Sequence, residues 1–284
     1  MKHAYLIIAH NEFEVLKKLL QAIDDPRNDV FIHFDRKVKQ IPAVEMQHAN
    51  LFIIANRINV HWGHVSQIEA EYALFEAAYR SGKYAYHHLI SGTHMPLYSQ
   101  NHIHRFFENM NKREVLAYMY TDAYEINLKL QRYNFFVKNF AHPAFIIRHP
   151  DQWFWKLGIR IQRIFNIHRN KNILYRKAAN WVSITGHCVA FLIAGKDEIL
   201  KRYRFSFCGD EFFVPSKLEW TSEKWNVIDC DRLIKTDIMK SASRYYRMED
   251  FDELIHSGCL FARKFGSEDM KVVDQILNHI KSMQ

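Results

Sequence analysis

Glycine is scarce in this chain, with nine among 284 residues. Loops that cradle phosphate are built from glycine, and neither G-x-G-x-x-G nor a P-loop occurs, which excludes nucleotide binding of those two kinds. Cysteine is scarcer still. Cys188, Cys208, Cys230 and Cys259 are scattered without paired spacing. That pattern excludes a disulfide framework and a Cys/His zinc site, and it reads as reduced thiols from a reducing compartment. No apolar run approaches the roughly 18 residues of a membrane span, and the apolar stretch 5–9 is too short to serve as a signal peptide. Acids are the minority charge, 31 against 39 Lys and Arg, for a net +8. A basic chain favours an anionic partner, whether nucleotide diphosphate, nucleic acid or lipid headgroup.

What is present reads as a globular α/β chain, 48% hydrophobic and 25% charged. Residues 4–9 form a short strand, apolar throughout, as a buried parallel strand should be. A helix follows with Phe13, Leu16, Leu19, Leu20 and Ile23 on one face. A second strand over 29–34 runs into Asp35-Arg36-Lys37. This β-α-β opening sets His10 and Asp35 to Lys37 at the carboxyl ends of neighbouring strands, where open α/β sheets bind nucleotides. An acid there can hold ribose hydroxyls or a base edge, or it can be a solvated loop charge. Further strands over 51–54 and 84–90 flank a helix over 66–79, and Ser91-Gly92-Thr93-His94-Met95-Pro96-Leu97 marks a sharp turn at a strand end.

Phe207-Cys208-Gly209-Asp210-Glu211-Phe212-Phe213 places two adjacent carboxylates among aromatic residues. Carboxylates in apolar surroundings cost desolvation energy unless used or paired. Burial raises a carboxyl pKa, which suits a group that takes a proton near neutral pH. The glycine permits a tight bend before a helix over 211–218. The competing reading is a helix cap with an acidic first turn.

In order along the chain, these pieces resemble the core-2/I-branching β-1,6-N-acetylglucosaminyltransferase family, which includes the protein O-xylosyltransferases. The resemblance rests on Ala4-Tyr5-Leu6-Ile7-Ile8-Ala9-His10, Ile32-His33-Phe34-Asp35-Arg36-Lys37, Trp62-Gly63-His64-Val65-Ser66 and the turn 90–97. It continues through Trp181-Val182-Ser183-Ile184-Thr185 and Asp210-Glu211-Phe212-Phe213 to the segment 260–265. It implies a GT-A-type nucleotide-sugar transferase, a mixed, mostly parallel sheet flanked by helices, in a single domain over 1–284. Residues 1–117 would form the nucleotide-binding half, 118–180 a variable segment, and 181–284 the half with the catalytic acid and the diphosphate site. Glu211 would be the catalytic base. Ile8, Ala9, His10, Asp35, Arg36, Lys37 and Trp62 would hold the nucleotide. Ser91, Gly92, His94 and Asp210 would border the donor sugar, and Trp181 would stack on the acceptor. The family usually has aspartate where His94 stands, so sugar identity is left open.

The same resemblance implies no cofactor and no divalent metal, with a basic pair, Arg244 and Lys264, countering the leaving diphosphate. The residues usual before that arginine are replaced by Ser241-Ala242-Ser243, which makes Arg247 an alternative. Asp229-Cys230-Asp231 has the D-x-D form that holds manganese in many sugar-nucleotide transferases, but it follows an ordinary apolar strand. The reaction implied is inverting transfer of GlcNAc or xylose from a UDP-sugar to a carbohydrate hydroxyl. A bacterial, cytoplasmic enzyme of surface polysaccharide synthesis is expected, acting on an acceptor that is free or lipid-linked.

Between 118 and 177 the resemblance fades into a basic and aromatic segment in which Asp151 is the one acid after Glu125. Such composition suits acceptor binding or the inner face of an anionic membrane. A solvated helical face over an aromatic core reads equally well. The rival class is an inactive module on the same fold that binds RNA or membrane. The retained Glu211 and Lys264 argue for the enzyme, and no nucleic-acid partner is expected.

Overall fold

The computed structural model describes residues 1–239 and 242–283, so that Ser241 lies outside it. Seven strands build the central sheet: β1 (His3–Ala9), β2 (Asn28–Phe34), β3 (Asn50–Ile53), β4 (Tyr86–Ser91), β5 (Glu114–Leu116), β6 (Ser183–Thr185) and β7 (Val227–Asp229). They lie in the order β3-β2-β1-β4-β6-β5-β7. Only β6 is antiparallel to its neighbours, β4 and β5. The expected mixed, mostly parallel sheet is therefore present, with strand limits shifted by one or two residues.

Helices cover both faces: α1 (Phe13–Ile23), α2 (Ser66–Ser81), α3 (Gln100–Asn109), α4 (Ala123–Leu130), α5 (Phe145–Ile164), α6 (Gly186–Ala194), α7 (Lys196–Tyr203), α8 (Phe213–Glu219), α9 (Phe251–His256) and α10 (Met270–Ser282). Alternation along β1 explains the two layers. Tyr5, Ile7 and Ala9 enter one core with α1 and α10, while Ala4 and Leu6 enter the other with α2 and α6. The apolar stripe of α10, Val272, Val273, Ile276, Leu277 and Ile280, is buried in the first core, as its periodicity predicts.

The segment 118–180 is a closed excursion between β5 and β6. Tyr118 bridges Ala178, and the Ala179 amide donates to the Ala117 carbonyl at 2.8 Å. A second, three-stranded sheet pairs Phe261–Ala262 with Met95–Pro96 and with Ile234–Lys235. It brings the tail back to the end of β4, where the Phe265 amide donates to the Thr93 carbonyl at 3.0 Å.

Thr185 joins β6 to α6. Its hydroxyl accepts from the Cys188 amide at 3.2 Å, capping the helix, and donates to the buried Glu114 carboxylate at 2.7 Å. Gly186 comes next, and a Cβ there would stand 2.8 Å from the Tyr84 carbonyl oxygen. A backbone atom cannot swing away as a side chain can. Gly186→Ala is expected to cost about 1–3 kcal/mol, read as a lower urea midpoint. An unchanged midpoint contradicts this packing.

Candidate active site

The carboxyl ends of β1, β2 and β4 carry the residues expected to bind nucleotide and sugar. Ile8 and Ala9 are locked into the sheet, with Ala9 accepting from the Asp35 amide and Ile8 from the Gly92 amide, both at 2.9 Å. His10 is exposed beyond them, with Lys264 and Asp35 among its charged neighbours. Asp35 is buried. One carboxyl oxygen accepts from the Lys37 amide at 2.8 Å, and the other lies 3.3 Å from the Lys37 ammonium. Arg36 is held through its amide, which donates to the Ile58 carbonyl at 3.0 Å. Trp62 is half exposed, with its ring against Phe140 and Phe207.

At the end of β4, Ser91 Oγ lies 2.9 Å from Thr93 Oγ1 and 2.8 Å from His94 Nδ1, which also accepts from the Ser91 amide at 3.0 Å. His94 is fully buried, and its Nε2 has no partner among the described residues. Burial first, and then the nearby Arg263, hold the imidazole neutral by pushing its pKa well below the ordinary value. Trp181 stands edge-on to His94 at 4.8 Å, with the Arg263 guanidinium 5.0 Å from its ring centre. The tryptophan expected at the acceptor thus packs against the residue expected at the donor sugar.

The acid-pair turn is built differently from its sequence reading. Gly209 to Glu211 is a single 3-10 turn, and α8 begins only at Phe213 rather than at Glu211. No side chain caps either start, so the capping reading fails. The left-handed residue is Cys208, at φ 52°, and not the glycine. Gly209 is needed for space, because a Cβ there would meet the Tyr203 ring at 2.6 Å.

Helix α2 clamps this turn. The Cys208 amide donates to the Gly63 carbonyl at 2.8 Å, and Gln67 Nε2 donates to Asp210 Oδ2 at 2.9 Å. The side-chain oxygen of the same Gln67 amide accepts from the Gly63 backbone amide. Beside it on α2, Glu71 is fully buried, and neither of its carboxyl oxygens has a hydrogen-bond partner among the described residues. Burial first, then the Asp210 charge, push the Glu71 pKa well up, while burial and the Glu211 charge raise Asp210 to about 7. The raised carboxyl expected of the pair is thus on Asp210.

Glu211 points the other way and is about a third exposed, its Oε2 lying 3.6 Å from Lys129 and 3.5 Å from Lys177. Both lysines also reach Glu125 at 2.7 Å, and Thr121 donates to the same carboxylate at 2.9 Å. Burial works against Glu125, but these three donors outweigh it and hold its pKa at about 2. Two cations and two carboxylates sum to zero, so a proton arriving on Glu211 leaves the group at +1.

The tail cations separate into two kinds. Arg244 is ion-paired with Asp250 at 2.8 Å and Asp237 at 3.3 Å, and Arg247 lies 3.7 Å from Glu268. Lys264 and Arg263 have no carboxylate within 4 Å among the described residues. Lys264 sits 4.5 Å over the Tyr245 ring, and burial pushes the Arg263 guanidinium down to about 10. Asp229 is engaged elsewhere, accepting from the Tyr118 amide at 2.9 Å.

An open, mostly parallel sheet with a partly exposed carboxylate and, among the described residues, acid-free cations along its carboxyl edge defines an α/β protein fitted to an anionic ligand. The match to known proteins is more specific. A model of the Core-2/I-Branching enzyme family matches residues 3–253, and the chain belongs to that family of glycosyltransferases. Among solved structures, apo mouse xyloside xylosyltransferase 1 aligns over 91% of this chain and 97% of its own, at 8% identity and a TM-score of 0.37. No curated protein matches.

Gln67, Glu71, Lys129, Glu125 and Arg263 were not singled out for the site by sequence reasoning. Glu71 had a signal, being an acid at a core position of α2 between Ile68 and Phe75. Lys129 and Glu125 had only their helical spacing, and Arg263 was passed over beside Lys264.

A raised Asp210 pKa fixes the sign of a pH effect. The native state keeps a proton that the unfolded chain releases near pH 4, so stability is fully present below that pH and lost as pH rises to about 7. Asp210→Asn keeps an acceptor for Gln67 and removes the penalty. It is expected to flatten the fall in melting temperature across this window and to gain roughly 1–3 kcal/mol at pH 8. An equally steep fall in the variant contradicts the assignment.

Proposed function

We propose that this chain is an inverting glycosyltransferase that moves a sugar, GlcNAc or xylose, from a UDP-sugar to a carbohydrate hydroxyl in surface polysaccharide synthesis. The acceptor is lipid-linked, and the enzyme works at the inner face of the membrane without a divalent ion. The observation that carries the reading is the split of the acid pair: Asp210 turned in against α2 and held by Gln67, Glu211 partly exposed between two lysines.

Glu211 takes the proton of the acceptor hydroxyl as that oxygen bonds to the anomeric carbon and the bond to the diphosphate oxygen breaks. The electron pair leaves with UDP. Lys129 and Lys177 hold the carboxylate in place, and Glu125 shares their charge so that Glu211 is not tied to them alone. Lys264 and Arg263 counter the charge growing on the diphosphate. Arg244, already neutralised by Asp237 and Asp250, positions Lys264, whose amide donates to the Arg244 carbonyl at 3.3 Å. Asp35 and Trp62 hold the nucleoside, and His94, kept neutral, faces the sugar with Ser91, Gly92 and Asp210.

Glu211→Gln keeps the shape and removes the basicity. Turnover is expected to fall at least about 100-fold with UDP binding kept; near-normal turnover would sink the assignment. The countercharge is tested separately. Activity is expected to survive excess EDTA, and Lys264→Ala to weaken UDP binding by about 2 kcal/mol or more. Loss of activity in EDTA, restored by manganese, would return Asp229 and Asp231 to consideration as metal ligands.

A further inference from the structure

Helix α5, at 20 residues, is held among the described residues along one side. Ile159 and Gln162 are buried there. Gln162 donates to the Tyr133 carbonyl at 2.9 Å, and Trp155 donates to Asn134 Oδ1 at 2.8 Å. The opposite side is apolar and open. Ile146 is 84% exposed, Trp153 57%, Leu157 39%, Ile161 43% and Ile164 77%. Their spacing follows the helical period, so the five form one outward stripe rather than scattered contacts. Lys156, Arg160 and Arg163, also spaced by three and four, form a basic row beside it, and Asp151 is the only acid between Glu125 and Asp197. A solvated helical face would carry polar residues where this stripe runs.

We propose that the α5 stripe docks on an anionic bilayer, lying in the interface with its aliphatic and tryptophan side chains at the headgroup–acyl boundary and its basic row on the lipid phosphates. The other occupants fit less well. A twofold pairing of α5 with a second copy would set the two basic rows against each other with one acid per chain to offset them. Nucleic acid would suit the basic row but offers nothing to bury Ile146, Leu157, Ile161 and Ile164. The surface is also coupled to the site. Trp155 lies 5.8 Å from Phe207, which directly precedes the acid-pair turn, and Phe140 packs on both Trp155 and Trp62. Docking through α5 therefore holds the acid-pair turn near the membrane. This rests on the proposed transfer to a lipid-linked acceptor.

The test is flotation of the full chain with phosphatidylcholine vesicles, with and without phosphatidylglycerol, at low and raised salt. The protein is expected to float only with anionic vesicles and to be released by salt. Replacing Ile146, Leu157 and Ile164 together by Ser, all three exposed, is expected to lower vesicle affinity at least about tenfold. Lys156→Gln with Arg160→Gln is expected to lower it about tenfold. Both variants should keep the parent melting temperature and its rise with UDP. Equal binding to neutral vesicles, binding to neither, RNA that competes the vesicles off, or a dimer in sedimentation that the triple substitution dissolves would each overturn the proposal. Transfer to a soluble acceptor reads the other claim independently. Transfer without flotation removes the docking surface alone, and flotation without transfer removes the glycosyl-transfer reading alone.

Discussion

The clamp between the start of α2 and the turn at Cys208 to Glu211 is the constraint on which the rest of the site depends. Gly63 accepts from Cys208, Gln67 donates to Asp210, and Gly209 leaves room for Tyr203. One carboxylate of an adjacent pair is thereby driven into the core. In a turn this tight the neighbouring side chain must leave in another direction, and Glu211 emerges where solvent and a substrate can reach it. Burying Asp210 and Glu71 together costs stability at neutral pH. Such a cost is expected where structure is shaped for chemistry rather than for stability alone.

The excursion over 118–180 then becomes part of the site rather than an appendage. It delivers Lys129 and Lys177 to Glu211, and Glu125 to both lysines. A carboxylate facing two lysines alone would be stabilised as an anion and would make a weaker base. Glu125 sits closer to both ammonium groups and takes up much of their charge. The same excursion carries α5, so the element that braces Glu211 also presents the apolar surface proposed to meet the bilayer. The small sheet of the tail brings Lys264 and Arg263 to the ends of β1 and β4. The site is assembled by several chain segments distant in sequence.

Much of the frame was legible in the sequence because local pattern determines it. The short apolar run 4–9 of β1 reads as a buried parallel strand, and the 3.6-residue stripes of α1 and α10 show which faces lie inside. The β-α-β opening set Asp35 at the sheet edge, and the order of short motifs singled out Glu211 and Lys264 by resemblance. What stayed hidden depends on contacts between distant segments. Nothing local reveals that Lys129 and Lys177, 48 residues apart, converge on one carboxylate. Nor does anything local separate Arg244, neutralised by Asp237 and Asp250, from Arg263, which faces Trp181. The helix expected from Glu211 was misplaced because the strain falls on Cys208, a residue type that gives no warning of a left-handed backbone.

The central claim is a single displacement at the anomeric carbon with Glu211 as its one base. The most direct measurement is the anomeric configuration of the glycoside formed from an α-linked UDP-sugar, read by proton NMR. A β-linked product is the predicted result. An α-linked product would mean two displacements or front-face attack, and would contradict the account.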